Sequence, residues 1–246
     1  MQKSVSKFII GLFVLATLGS CSQKKSAEQL EEERQGVLPQ TEKLTPTDNV
    51  DERLNIYAPF KLTSDLSHLT KEEKEILPIL FEVADIMENL YWQQTIGQKE
   101  AFLDKIQDPE AKKFAKINFG PWDRLNNNKP FFEEIGPKPA GANFYPTDMN
   151  KEEFKNWENE NKTSLYTLIR RDEQGNLKSV WYHEAYKSEL EKASKLLKKA
   201  AEIARKPGLK EYLNLRAKAL VTSKYQKSDF AWMEMKDSNI DVVVGP

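Results

Sequence analysis

Histidines that could bind a metal are scarce in this chain. Its 246 residues include two, His68 and His183. A catalytic zinc ion needs three protein ligands and one open position for water, and zinc helices carry paired histidines about one turn apart. Glu184 follows His183, but Lys187 and Ser188 occupy the places where a partner histidine would stand. The spacing therefore favours a surface or strand-end histidine at 183 over a zinc ligand.

Motifs for nucleophilic or carboxylate chemistry are also absent from the sequence. It contains no G-x-S-x-G element, no P-loop and no G-x-G-x-x-G fingerprint. Carboxylates are numerous, but many stand at helical surface spacing beside a lysine, as Glu189 does with Lys192 and Glu202 with Lys206. Such pairs are typical of solvated helix faces rather than of a glycosidase acid pair. No catalytic residue and no metal ligand is therefore predicted within this chain.

The passage from Asn118 to Pro146 combines aromatic residues with proline and glycine. Asparagine side chains pair with extended backbones, and aromatic rings form apolar walls. A peptide-binding cleft is therefore one interpretation, with four candidate substrate-binding residues: Trp122, Asn143, Phe144 and Tyr145. The other interpretation is that these residues pin an irregular loop onto helices, with the prolines and glycines setting its bends. We favour packing for most of the passage and regard Asn143 and Tyr145 as the strongest candidates for binding.

The first twenty residues have the pattern of a signal peptide. Lys3 and Lys7 precede an apolar stretch over residues 8–18, which is too short for a transmembrane helix of ~20 apolar residues. Leu18-Gly19-Ser20-Cys21 follows and resembles the lipobox of bacterial lipoproteins. Cys21 is thus a predicted lipidation site, and acyl chains there would anchor the protein to a membrane. The expected location is the periplasm or outer membrane of a Gram-negative bacterium.

Composition divides the remainder into a tether and a domain. Residues 21–50 are polar and almost free of aromatic side chains, which predicts a flexible tether. Residues 51–246 are numerous enough for one domain with a hydrophobic core. The formal net charge of −1 gives no overall basic character, so nucleic acid is not an expected partner. Since Cys21 is the single cysteine, disulfides and cysteine-based zinc sites are excluded.

Hydrophobic spacing predicts an α+β, helix-rich domain. Thr70 and Glu73 form a capping box that opens a helix, with Pro78 either kinking its first turns or marking a later start. Further predicted helices cover residues 99–106, 110–118, 148–159, 186–205 and 209–221, and a hairpin joins residues 163–171 to 177–182. Residues 239–244 are apolar and mostly β-branched, which predicts a short strand. Because Gly245 and Pro246 follow this strand directly, the sequence is expected to be cut within a sheet.

Several strings in this domain resemble the N-terminal part of bacterial dipeptidyl peptidase III, a family of zinc-dependent exopeptidases. They are YAPFKLTSDLSHLT from Tyr57, INFGPWDRL from Ile117, KPAGANFYPTDMNKEEF from Lys138, TSLYTLIRRDEQG from Thr163 and SDFAWMEMKDSNIDVVVGP from Ser228. The resemblance covers roughly residues 54–246. It implies a two-lobed peptidase fold of which this chain is the N-terminal portion.

The resemblance also sets expectations for activity. Members of the family release dipeptides from peptide N-termini with a zinc ion held by an H-E-x-x-G-H helix and a later glutamate. This chain contains no such helix, so zinc is expected in the full-length family member and not here, and the chain alone is expected to be inactive. Its expected partners are a peptide substrate, a membrane through Cys21, and the missing C-terminal portion of the enzyme. The alternative function is a noncatalytic surface lipoprotein that binds peptides or a partner protein.

Overall fold

A computed structural model of the chain describes residues 37–39, 41–47 and 49–246. The predicted signal peptide, Cys21 and most of the predicted tether lie outside the described residues. Helices dominate and two short hairpins complete the fold, which confirms the predicted helix-rich mixed class. The elements are α1 (Val50–Leu54), α2 (Lys71–Thr95), α3 (Lys99–Leu103), α4 (Pro109–Asn118), β1 (Trp122–Asp123), β2 (Lys129–Pro130), α5 (Lys151–Asn156), β3 (Thr167–Arg171), β4 (Leu177–Trp181), α6 (Tyr182–Ala185), α7 (Lys187–Ile203), α8 (Pro207–Leu220) and α9 (Gln226–Glu234).

Helix α2 begins where the capping box predicts. The Thr70 side chain accepts a hydrogen bond from the Glu73 amide, and the Glu73 carboxylate accepts one from the Thr70 amide, which satisfies two otherwise free donors. Pro78 lies inside the continuous helix, so the alternative of a later start is wrong. The buried face of α2 packs against α7 and belongs to the larger of two hydrophobic clusters, to which α8 also contributes. The members of this cluster from α2 are Ile76, Ile79, Leu80, Val83, Ile86 and Leu90.

A second hydrophobic cluster, here termed the aromatic cluster, combines aromatic with aliphatic side chains. It contains Trp92 from the last turn of α2 together with Phe102, Phe114, Trp122, Phe131 and Phe132. The ring centroids of Phe114 and Phe131 lie 4.6 Å apart, and those of Phe131 and Phe132 lie 4.9 Å apart. Such pairs add stability beyond the area that they bury. The first half of the aromatic passage is therefore part of a core.

The packed region starts before the predicted domain boundary at residue 51. Leu44 is 2% exposed and lies in the aromatic cluster, and its amide donates a hydrogen bond to the Lys105 carbonyl over 3.0 Å. The Thr47 amide donates to the Phe131 carbonyl over 3.1 Å. The prediction of a tether through residue 50 is therefore wrong for residues 44–47 and 49–50. Buried Leu44 and Val50, together with backbone pairing, hold this polar stretch, and neither feature gives a periodic sequence signal.

The predicted hairpin is present with shorter strands. β3 and β4 pair antiparallel from Thr167 opposite Trp181 to Arg171 opposite Leu177, and Gly175 in the turn has a φ of 84°. Residues 163–166 do not join β3, because the chain turns there and the Thr167 hydroxyl donates to the Asn161 carbonyl over 3.0 Å. Over the described residues, no helix is both long and apolar enough to cross a membrane.

The predicted strand at residues 239–244 is not formed. The segment after α9 is irregular, and its side chains Ile240 and Val244 are buried against the helices of the larger cluster. The Val244 amide donates to the Tyr212 hydroxyl over 3.3 Å instead of to a neighbouring strand. β-branched composition reported burial correctly but could not report a pairing partner. Helix α9, which precedes this segment, was not predicted.

Glu73 makes a pH-dependent contribution to stability. It is 4% exposed, and besides the Thr70 amide it accepts hydrogen bonds from Asn239 Nδ2 at 3.1 and 3.3 Å. The Thr70 amide, followed by the Asn239 amide, outweighs burial and holds the pKa of Glu73 below its ordinary value of 4.5. The carboxylate therefore stabilises the fold above that value, and this contribution is lost as the pH falls through the lowered pKa.

We expect Glu73→Gln to lower the free energy of unfolding at neutral pH and to reduce its decline in acid. Urea unfolding across a pH series measures both effects. Glu75→Gln is the control, because Glu75 lies on the same helix with its side chain 52% exposed. Equal acid dependence in wild type and Glu73→Gln would contradict the assignment.

Candidate functional site

The aromatic passage leaves helix α4 through two residues with unusual backbone angles. Phe119 ends the helix in the left-handed region with a φ of 54°, and Gly120 follows with a φ of 147°. A Cβ at Gly120 would lie 3.0 Å from Ile96 Cγ2, so glycine suits both the angle and the space. The chain then forms the β1–β2 hairpin. Its turn carries Asn127 and Asn128 at φ of 53° and 56°, angles that asparagine tolerates well.

An ion pair fixes this hairpin to the body of the protein. Asp123 is 2% exposed, and one of its carboxylate oxygens lies 2.6 Å from Arg53 Nε. Its other oxygen accepts a hydrogen bond from the Leu125 amide over 3.0 Å. The carboxylate raises the pKa of the Arg53 guanidinium, which is charged throughout the physiological range. The hairpin is thus held at its root, while its turn extends to the rim of a cleft.

Trp122 is a core residue rather than a cleft residue. Its side chain is buried in the aromatic cluster, and its Nε1 donates a hydrogen bond to the Gly136 carbonyl over 2.9 Å. The Lys138 ammonium lies 5.9 Å from the centre of its ring. Trp122 therefore does not line the cleft with the other candidates, and the sequence-based proposal that it binds substrate is replaced by a packing role.

Asn143 pins the second half of the passage to the end of helix α2. Its Nδ2 donates to the Gln93 carbonyl over 2.7 Å, and its main-chain amide donates to the Gln94 carbonyl over 3.0 Å. Both carbonyls belong to the last turn of the helix, where intrahelical partners run out. Arg170 donates to the Asn143 carbonyl over 2.9 Å. The Asn143 side chain is therefore engaged with the scaffold, and it positions the two aromatic residues that follow.

Phe144 and Tyr145 line an open cleft of about 790 Å³, together with residues 127–130 and 137–142. The Phe144 carbonyl accepts a hydrogen bond from the Ile169 amide over 3.0 Å, which fixes the residue against strand β3. The Tyr145 ring is 39% exposed and stands edge-on to Phe154, with ring centroids 6.2 Å apart. Of the four candidates from the sequence, these two are therefore the ones that line this cleft.

Gly141 allows the Tyr145 ring its position. A Cβ at residue 141 would lie 2.1 Å from Tyr145 Cδ2, closer than any real contact. The only glycine-specific requirement here is space, because a hydrogen at this position leaves room for the ring. The sequence motif Gly141-Ala142-Asn143-Phe144-Tyr145 therefore combines a close approach, an anchor and two cleft residues.

The cleft also contains an amino group with a perturbed proton affinity. Burial lowers the pKa of the Lys138 ammonium, and the nearby charge of Arg124 lowers it further. A partly desolvated ammonium favours an anionic partner or a carbonyl oxygen over solvent. Next to the cleft, burial also raises the pKa of Tyr182 to about 12, and its ring lies 6.5 Å from that of Phe144. The arrangement provides apolar walls and a cation, which suits binding and orientation of a ligand.

Arg171 holds the chain segment that follows the cleft residue Tyr145. Its guanidinium donates to Asp148 Oδ2 over 2.7 Å and to both carboxylate oxygens of Glu153, over 2.8 and 3.0 Å. This bidentate contact lowers the pKa of Glu153. The segment that follows Tyr145 is thereby tied to strand β3. Asn150 caps helix α5, and its side chain accepts a hydrogen bond from the Glu153 amide.

The two histidines serve no metal site in the described part of the chain. His183 Nδ1 lies 2.9 Å from Ser223 Oγ, and its ring stacks on Trp181 at a centroid distance of 6.2 Å. His68 is exposed in the turn before helix α2. Within residues 37–39, 41–47 and 49–246, no three or more histidine, cysteine, aspartate or glutamate side chains are grouped so as to hold a metal ion.

A second cleft, of about 850 Å³, was not anticipated from the sequence. The stacked rings of Tyr166 and Tyr225, 4.7 Å between centroids, lie in its wall, and Lys218, Lys224 and Lys227 surround it. These residues come from the turn before β3, from the end of α8 and from the region where α9 starts, so no local spacing joins them. Burial raises the pKa of Tyr225. The cleft is basic, and its tyrosines are packed against the core.

Comparison with known proteins identifies two similar solved structures. Dipeptidyl peptidase III from Caldithrix abyssi is 40% identical, with a TM-score of 0.75, over 80% of this chain and 39% of that chain. Dipeptidyl peptidase III from Corallococcus sp. strain EGB is 30% identical, with a TM-score of 0.74, over 83% of this chain and 40% of that chain. No family model matches the sequence.

A curated relative carries a different name. Nudix hydrolase 3 of Arabidopsis thaliana is 28% identical over 260 aligned residues, which are 80% of this chain and 34% of that protein. This chain thus spans about a third of that relative and about two fifths of each solved structure. The two solved structures resemble the chain in both sequence and fold, and their sequence identities of 40% and 30% exceed the 28% of the Nudix hydrolase. Over its described part, the chain is therefore a dipeptidyl peptidase III-like protein.

Proposed function

We propose that this chain forms the N-terminal lobe of a zinc-dependent dipeptidyl peptidase, an enzyme that releases dipeptides from the N-terminus of peptides. The observation that carries the proposal is the 40% identity to the Caldithrix abyssi enzyme at a TM-score of 0.75. Identity at that level over most of the chain favours common descent over a shared fold alone. The chain spans 39% of that structure, so the similarity alone does not give this chain the activity of the whole enzyme.

The zinc ion would be bound by another part of the enzyme. A zinc ion in a peptidase polarises the scissile carbonyl and activates a water molecule, and it needs three protein ligands. The described residues do not fit this requirement, because His183 is engaged with Ser223 and no third ligand is grouped with either histidine. No chemical step is therefore assigned to residues of this lobe.

The role assigned to the lobe is to hold an extended peptide in the cleft beside Phe144 and Tyr145. The exposed Tyr145 ring offers an apolar face to a substrate side chain, and the Lys138 ammonium offers a donor to peptide carbonyls or to a carboxylate. Asn143 contributes indirectly, because its amide fixes both aromatic residues to helix α2.

A noncatalytic lipoprotein that binds peptides or a partner protein is the second candidate. The observation in its favour is the absence of a metal-binding group among the described residues. Both candidates use the same peptide cleft. They differ in whether this chain assembles with a zinc-bearing part. A complex of this chain with a zinc-bearing partner that hydrolyses peptides would decide for the first candidate.

The chain alone is expected to bind substoichiometric zinc and to leave a dipeptidyl arylamide intact. Metal analysis after dialysis against zinc, combined with a chromogenic hydrolysis assay, measures both properties. The Caldithrix abyssi enzyme, assayed under the same conditions, is the positive control. One tightly held zinc per chain with release of the arylamine would contradict the proposed division of labour.

Replacement of Tyr145 by alanine is expected to weaken peptide binding by about 2- to 10-fold, the factor that corresponds to one aromatic contact. Fluorescence anisotropy of a labelled tetrapeptide gives the dissociation constant. Tyr91→Ala is a matched control, because Tyr91 is 41% exposed and packs edge-on against one ring, that of Phe119, as Tyr145 does against Phe154. An equal loss of affinity in both variants, or no loss in Tyr145→Ala, would contradict peptide binding in this cleft.

We also propose that Cys21, which lies outside the described residues, carries a lipid anchor and that the protein is located in the periplasm or at the outer membrane of a Gram-negative bacterium. Acyl chains contribute ~0.8 kcal/mol per buried methylene, enough in combination to hold a soluble body at a membrane. Cys21→Ser is expected to abolish incorporation of labelled palmitate and to move the chain from the membrane to the soluble fraction. Ser22→Ala is the control, and unchanged labelling of Cys21→Ser would refute the anchor.

A further inference from the structure

Most of the segment that connects α1 to α2 is exposed. Every residue from 58 to 68 is exposed, and the segment from 58 to 64, here termed the arm, belongs to no helix or strand. Leu62 and Phe60 are the most exposed large apolar side chains of the described residues, at 87% and 84%. Soluble proteins rarely leave neighbouring large apolar side chains uncovered without a partner.

The backbone of the arm is equally free of partners. Among the hydrogen bonds found in the described part of the chain, none involves a main-chain amide or carbonyl of residues 58–64. Phe60 and Leu62 are two positions apart, so an extended backbone presents both side chains on one face and Lys61 and Thr63 on the other. The arm therefore combines an apolar face with free backbone donors and acceptors, the two elements by which an extended segment adds to another surface.

A second exposed apolar group lies on helix α9. Phe230 and Met233, 55% and 59% exposed, stand three residues apart on that helix. Trp232, between them, donates from Nε1 to Asp241 Oδ1 over 2.7 Å. Asn239, two residues before Asp241, donates to Glu73 in the first turn of α2. The segment around residues 239–241 thus contacts both α9 and the start of α2.

We propose that the arm docks, through Phe60 and Leu62, onto the part of a dipeptidyl peptidase III-like fold that this chain does not span. The inference rests on the proposed function, since it assumes that such a part assembles with this lobe. The larger share of each similar solved chain lies outside the match, 39% and 40% being covered. That remainder is the occupant whose fold is already associated with the fold of this chain.

The test joins the full chain to the part of the Caldithrix abyssi enzyme that lies outside the matched region. Hydrogen exchange is measured in this chimera and in the full chain alone, both purified in detergent. Amides of residues 58–64 are expected to exchange about tenfold more slowly in the chimera, as expected for groups that open only by local unfolding. Exchange that is equally fast in both proteins would overturn the proposal.

Two neighbouring substitutions separate docking from a general effect of charge. Leu62→Asp places a charge on the apolar face of the arm, and Thr63→Asp places the same charge on the opposite face. Both residues are exposed, so neither substitution should change the melting temperature of the chain alone. In the chimera, Leu62→Asp should lower it by about 1–2 °C and Thr63→Asp by less. Equal effects of the two in the chimera would contradict docking through the apolar face.

Further outcomes are also decisive. A dimer of the chain alone in light scattering, dispersed by Leu62→Asp, would overturn the proposal in favour of a second copy as the occupant. Should the chimera fail to fold, hydrogen exchange of the intact Caldithrix abyssi enzyme at the positions aligned with 58–64 decides, and fast exchange there overturns the inference. Dipeptide release by the chimera is read separately. A protected arm without activity would refute the proposed function alone, and activity with an unprotected arm would refute the docking alone.

Discussion

The fold depends on the burial of one helix by two different cores. Helix α2, about 37 Å long at 1.5 Å per residue, contributes aliphatic side chains to the larger cluster along most of its length and Trp92 to the aromatic cluster at its end. Its start is fixed by Thr70 and Glu73, and the carbonyls of its last turn are satisfied by Asn143. Displacement of this helix would disturb both cores and the candidate cleft together.

The same dependence explains how roles are divided in the aromatic passage. Its first half supplies Trp122, Phe131 and Phe132 to a core, and this core fixes the base of the β1–β2 hairpin. The second half packs lightly and is held by polar contacts from Asn143, Arg170 and Arg171. Because these polar contacts fix the backbone of the second half, its aromatic side chains need not be buried and can contact a ligand. Tyr145 has that freedom and Trp122 does not.

Local signals in the sequence predicted local structure well. The capping box at Thr70 and the turn at Gly175 are settled within a few residues, and both appear as expected. The strand at 239–244 failed because pairing depends on a distant partner, and the stretch around Leu44 was misjudged because one leucine gives no periodicity. The passage that composition singled out does line a cleft. Composition could not tell which of its rings lie in the wall, since exposure is a property of the assembled fold.

The bond between Glu73 and Asn239 has a consequence for the order of folding. The two residues are 166 positions apart, so the N-terminus of α2 acquires this partner only after residue 239 has been synthesised. Contacts of such long range close large loops and slow folding. During synthesis, α2 leaves the ribosome with a carboxylate that still lacks its partner amide. A lobe built this way matures as a whole rather than from its N-terminus onwards.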